Sequence, residues 1–197
     1  MLLPFLRVTG HEAELSVIAR EDDDALSLSF GADILSRYIW RGMDFGNSPA
    51  IQPNLALSWK GLNVGLWGSY AFTGHSLQVN DTVLTKLGPY VETDFVISYT
   101  CQWFTLSLVD MFIHNGLNPN AGNNFFDYHN STTGHTLEAN LTFNGTDNFP
   151  LHLMVSTLLY GDDKNKDSTG VYGYGDKNNF STYFEIVYEF TIKKMDL

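Results

Sequence analysis

The sequence predicts an all-β protein: an up-and-down antiparallel transmembrane β-barrel of about eight strands. Three observations carry that prediction. Apolar side chains recur at every second residue in segment after segment, with almost no helical period between them. Short and long connections alternate along the chain, as they do when all the long loops leave a sheet from one end. The segments run to about 9–11 residues, the length a tilted strand needs to cross the hydrocarbon layer of a membrane.

Taken in order, residues 1–24 end in the charge run Arg20-Glu21-Asp22-Asp23-Asp24 and read as a loose tail, so the barrel domain is expected over 25–197. Segment 26–41 sets Leu26, Leu28, Phe30, Ala32, Ile34, Tyr38 and Trp40 against Ser27, Ser29, Gly31, Asp33, Arg37 and Arg41. Segment 51–59 sets Ile51, Leu55, Leu57 and Trp59 against Gln52, Asn54 and Ser58, and 62–72 continues the pattern with Trp67 as its exception. Segment 89–99 sets Val91, Phe95, Ile97 and Tyr99 against Glu92, Asp94 and Ser98. Segment 103–113 alternates until Asp110 falls on the apolar parity, which predicts a bulge near Val109 that re-aims the acid. Segments 136–143 and 180–192 continue the alternation, and 151–160, the remaining strand, is mostly apolar on both faces.

Tight links are expected at Lys60-Gly61, Thr100–Gln102, 144–150 and 193–196, and long ones at 42–49, 73–87, 115–133 and 161–179. Aromatics near segment ends, such as Trp59, Tyr70, Tyr99, Trp103 and Tyr160, suit the interfacial girdles of a membrane barrel, although aromatic residues favour strands in any case.

Composition narrows the function classes. With 11 Lys+Arg against 22 Asp+Glu the net charge is -11, which repels a phosphate backbone and excludes nucleic acid as an expected partner. One cysteine, Cys101, allows neither an intrachain disulfide nor a cysteine zinc site. No run of eighteen apolar residues is present to form a transmembrane helix. The apolar patch Leu2–Leu6 is too short to match a secretory signal.

Charges inside the strands share the polar parity: Asp33, Arg37, Arg41, Glu92, Asp94, Glu138, Glu185 and Glu189, joined by Asp110 if the bulge forms. Lipid exposure of an Arg or Lys would cost about 2–4 kcal/mol near the midplane, so these groups are expected to line the lumen. Two readings stay open. One is a charged pore lining that selects solutes; the other is a structural network in which the ions neutralise one another.

Chemistry-bearing motifs are sparse. Asp163, Asn165 and Asp167 open like a calcium loop, but Ser168 and Tyr174 stand where the helix–loop–helix version needs Gly and Glu, so they are weak metal candidates. His129 and His135 share a segment with Asp127 and either meet a metal there or are surface polar groups. Nucleophile elbow, phosphate loop and paired metal-binding histidines are all missing from the sequence, so neither an enzyme nor a cofactor is expected.

Residues 36–53, Ser-Arg-Tyr-Ile-Trp-Arg-Gly-Met-Asp-Phe-Gly-Asn-Ser-Pro-Ala-Ile-Gln-Pro, resemble the first hairpin of outer-membrane porins of the TorF type, the Bacteroidota-like members in particular. Gly61 matches the turn that follows in those chains, and Gly65-Leu66-Trp67-Gly68-Ser69 matches their Trp-Gly-Ser strand. The resemblance implies a porin of the Gram-negative bacterial outer membrane, with small solutes and outer-membrane lipid as its partners. Family members are longer and end on an aromatic; this chain ends at Met195-Asp196-Leu197, which implies a C-terminally truncated member. Two alternatives remain from other classes. A non-channel barrel would present the loops at 73–87, 115–133 and 161–179 for adhesion or binding. A soluble lipocalin-like binder would need an apolar interior, which the polar placement of the charges argues against.

Overall fold

Period-two alternation, read through the hydrogen-bond ladders, sorts nearly every side chain to one of two faces. The computed structural model describes residues 25–45, 47–79, 82–114, 124–129, 132–146, 149–161 and 180–188. They form ten strands: β1 (Ser27–Leu35), β2 (Tyr38–Trp40), β3 (Met43–Phe45), β4 (Ala50–Trp59), β5 (Leu62–Val79), β6 (Thr82–Cys101), β7 (Phe104–His114), β8 (His135–Phe143), β9 (Leu151–Gly161) and β10 (Thr182–Tyr188). Among the described residues there is no helix. Eight strands make one antiparallel sheet in the order β1-β4-β5-β6-β7-β8-β9-β10, and β2 and β3 pair only with each other. β1 and β10 are the ends of that order, and no ladder joins them among the described residues.

The registers give the faces directly. One row runs Ser27, Ser58, Asn63, Ser98, Ser107, Asn140, Ser156, Tyr183, a belt of small polar side chains with a tyrosine at its end. The next row runs Leu28, Leu57, Val64, Ile97, Leu108, Ala139, Thr157, Thr182 and belongs to the opposite, apolar face. Apolar residues of that face lie open along strand after strand, from Phe30 (82% exposed) through Leu55, Leu66, Phe95 and Leu106 to Phe184 (70%).

Two tight turns show why the strands reverse where they do. Lys60 and Gly61 both have positive φ (49° and 82°), the two-residue hairpin geometry whose twist matches its strands. Between β6 and β7 Gln102 takes φ 52°. The connections β1–β4, β7–β8 and β9–β10 are long and leave from the other end of the sheet.

Three expectations are corrected. Segment 26–41 is not one strand: β1 stops at Leu35, and the chain then turns into the separate β2–β3 hairpin. The stretch 73–87 is not a loop. β5 and β6 run through it and pair with each other past the ends of their neighbours, with register shifts between Tyr70 and Leu77–Gln78. No bulge forms near Val109, because the ladders on both sides of β7 run unbroken from Phe104 to Phe112. The bulge in this part of the sheet lies instead in β9, where Leu137 pairs with Tyr160 and Glu138 with Leu158. The tail 1–24, Glu189, the run Asp163, Asn165 and Asp167, and the turn at 193–196 lie outside the described residues.

Candidate functional site

The polar face of the sheet is covered by the β2–β3 hairpin, and the two together form the candidate site. Arg41 (φ 48°) and Gly42 (φ 78°) make its two-residue turn, the same local geometry as Lys60-Gly61. Tyr38 anchors one end: its ring lies 5.4 Å from Phe45, 5.4 Å from Trp67 and 6.0 Å from Tyr90. Ala50 and Ala71 complete this buried cluster, their small side chains leaving room for the rings. Trp67, the exception to the apolar pattern of its segment, points to the polar face because the hairpin packs against it there.

Arg41 holds the hairpin's tip. Its Nη1 donates to Glu138 Oε2 at 2.7 Å, and Nη2 donates to Glu138 Oε1 at 3.0 Å and to Ser156 Oγ at 2.7 Å. The guanidinium also stands 4.3 Å from the ring centroids of Trp40 and of Tyr183. Both charged side chains are largely buried, 13% exposed for Arg41 and 5% for Glu138. A bidentate fork between two aromatic planes is the arrangement that arginine, unlike lysine, can make. The hairpin therefore lies across the face from β5 to β10.

The other sequence-predicted residues fall as follows. Glu92 and Asp94 are buried on the covered face of β6; Glu92 accepts a hydrogen bond from the Tyr90 hydroxyl at 3.0 Å. Asp94 Oδ1, Asn63 Oδ1 and Asn140 Oδ1 are buried there without a hydrogen-bond partner. Asp33 is half-buried opposite Gln52. Glu185 accepts from the Tyr183 hydroxyl at 3.0 Å. Arg37 is exposed at the base of the hairpin, where it pairs with Asp44 and Asn47, and it shares no face of β1 with Arg41. Asp110 does not join the polar set: it sits in the apolar row between Phe95 and Leu137.

Asp110 is tolerated on the apolar face because residues 124–129 and the stretch leading into β8 bring it partners. His135 Nδ1 lies 2.9 Å from Asp110 Oδ1, and the Tyr128 hydroxyl donates to Asp110 Oδ2 at 2.8 Å. His135 Nε2 lies 2.6 Å from the carbonyl oxygen of Phe125. The imidazole stacks on Tyr128 at 4.1 Å and packs beside Phe112 at 4.5 Å, and the Tyr160 hydroxyl donates to the Tyr128 carbonyl. Partial burial and the Asp110 carboxylate push the Tyr128 hydroxyl up to about 12. The Thr132 hydroxyl, then the His129 backbone N–H, hold the neighbouring Asp127 carboxyl below its usual range. This cluster is closed upon itself: each ring nitrogen of His135 faces an acceptor within the protein. Among the described residues Asp127 makes no hydrogen bond with the His135 ring, and no set of three His, Cys, Asp or Glu side chains converges as a metal site.

The sequence missed the hairpin as a unit, although its Arg-Gly pair was a turn signal of the same kind as Lys-Gly. Comparison of the chain with protein-family models, curated proteins and solved structures finds no match.

Proposed function

We propose that the chain is a porin-like barrel of the bacterial outer membrane, its lumen narrowed by the β2–β3 hairpin and open to small solutes. The observation that carries this reading is the segregation of the two faces. Large apolar side chains lie exposed along all eight strands of one face, while hydroxyls, amides, carboxyls and a guanidinium line the other. A soluble monomer rarely exposes an apolar patch beyond a few hundred Å². Lipid removes that difficulty, and closure of the sheet between β1 and β10 satisfies its two edges. The same inventory argues against a soluble lipocalin-like binder, which needs the apolar face within. The resemblance of residues 36–72 to TorF-type porins points to the same compartment.

A second reading rests on the Arg41–Glu138 clasp. A hairpin held across the lumen suits a barrel without a channel, one that presents its long connections at the cell surface. Planar-bilayer recording of the refolded full chain separates the two. Current through a chain that is folded by heat-modifiable gel migration supports the porin; a folded, inserted chain that carries none supports the closed barrel. A chain that stays soluble and monomeric without detergent overturns both.

A further inference from the structure

We infer that the polar face selects cations, and that Asp94 is the residue that sets this preference; the inference rests on the porin reading. The covered face carries Asp33, Glu92, Asp94, Glu138 and Glu185, faced among the described residues by one arginine, Arg41, and by His152. Arg41 is engaged with Glu138 through two hydrogen bonds, and among the described residues no lysine or second arginine pairs with Asp33, Glu92, Asp94 or Glu185. Asp94 is the group that points to a ligand. It is 9% exposed, its Oδ1 has no hydrogen-bond partner, and it faces the same side as Glu92 two residues before it.

Acceptors without donors continue away from it. Asn63 Oδ1 and Asn140 Oδ1 are likewise unpartnered, and both stand in the polar belt, on β5 and β8, with Ser98 and Ser107 between them. Buried oxygen acceptors with no proton to accept are stabilised by a positive charge and penalised by a negative one. The ligand class is a small monovalent cation in transit rather than a chelated metal, because no three acidic or imidazole groups converge to cage an ion among the described residues.

The test uses the refolded full chain in a planar bilayer between concentrated and dilute potassium chloride. The expected reversal potential lies on the potassium side, and Asp94→Asn moves it toward zero while keeping the shape of the side chain. Glu92→Gln, measured beside it, covers the case in which Asp94→Asn does not fold, and is expected to move the potential the same way by less. Conductance with a reversal potential at zero or on the chloride side overturns the inference and leaves the porin reading standing. A cation preference unmoved by either variant overturns the assignment to this carboxylate pair. A folded, inserted chain that carries no current overturns the porin reading and the inference with it.

Discussion

Arg41 and Asp110 show how a single side chain decides what its surroundings must supply. Arg41 is buried against Glu138, so removing one partner leaves the other charge without compensation. Arg41→Met is expected to destabilise the folded protein by about 3 kcal/mol, whereas Arg41→Met combined with Glu138→Leu costs less than either single change. Denaturant titrations of the detergent-folded protein measure both; an additive double variant means that the pair does not hold the hairpin. Asp110 lies in an apolar row and depends on Tyr128 and His135. Tyr128→Phe deletes one charge-assisted hydrogen bond and is expected to cost about 1.5–3 kcal/mol in the same titration. Gly161 is a third decisive position: with φ 108°, a Cβ there would run into the carbonyl oxygen of His135. Gly161→Ala is therefore expected to cost about 3 kcal/mol or more, and a variant as stable as the parent refutes that placement of β9 against β8.

At the scale of elements, β4, β8, the part of β5 up to Phe72 and the part of β6 from Pro89 on were legible because period and face agree in each, whereas β9 is apolar on both parities and carries no such signal. Leu55 and Leu57 face one way and Gln52 and Asn54 the other, as simple alternation requires. The β2–β3 hairpin was not, because its parity runs on smoothly from β1: Ile34, Tyr38 and Trp40 are all even positions, so periodicity carries no mark of the break after Leu35. Asp110 misled for the opposite reason. A lone acid on an apolar row looks like a register error, but its partners come from residues 124–135, whose approach no local pattern encodes. That folded-over element has its own pH window. Asp127 has its carboxyl depressed, so what it adds is present above the ordinary carboxylate range and lost as pH falls through the depressed value. Tyr128 has its hydroxyl raised, so its contribution is intact below the ordinary phenol value of about 10 and lost as pH rises through about 12. The protection of the His129 amide, which donates to Asp127, is expected to fall at the acid edge relative to the unstructured rate, and a 295 nm absorbance titration is expected to lose one late-ionising tyrosine when Tyr128 is replaced by Phe.

The whole molecule poses the question of its two edges. Eight strands in antiparallel order leave β1 and β10 running in opposite senses, so they can pair without reversing the alternation that the rest of the sheet obeys. The ladders also show how far the sheet has staggered by its end. Thr182 opens β10 at the long-connection end, yet its row leads back through Thr157, Ala139, Leu108, Ile97, Val64 and Leu57 to Leu28 rather than to Leu35 at the same end of β1. A closed barrel needs such a stagger, and strand number, tilt and shear must agree. An even shear keeps polar side chains opposite polar ones, and a value of about 8, the shear of the eight-stranded barrel of (β/α)8 enzymes, would bring the described span of β10 alongside β1. That register sets Leu35 against Tyr183, Asp33 against Glu185 and Gly31 against Val187, each pair on the polar face. Gly31→Cys with Val187→Cys, made with Cys101→Ser to remove the exposed native thiol, is expected to form an intrachain disulfide in the membrane-folded protein. Gly31→Cys with Tyr183→Cys, four residues out of register, is expected to remain reduced. Should neither pair link in a chain that is inserted and folded, β1 and β10 are not joined in this register.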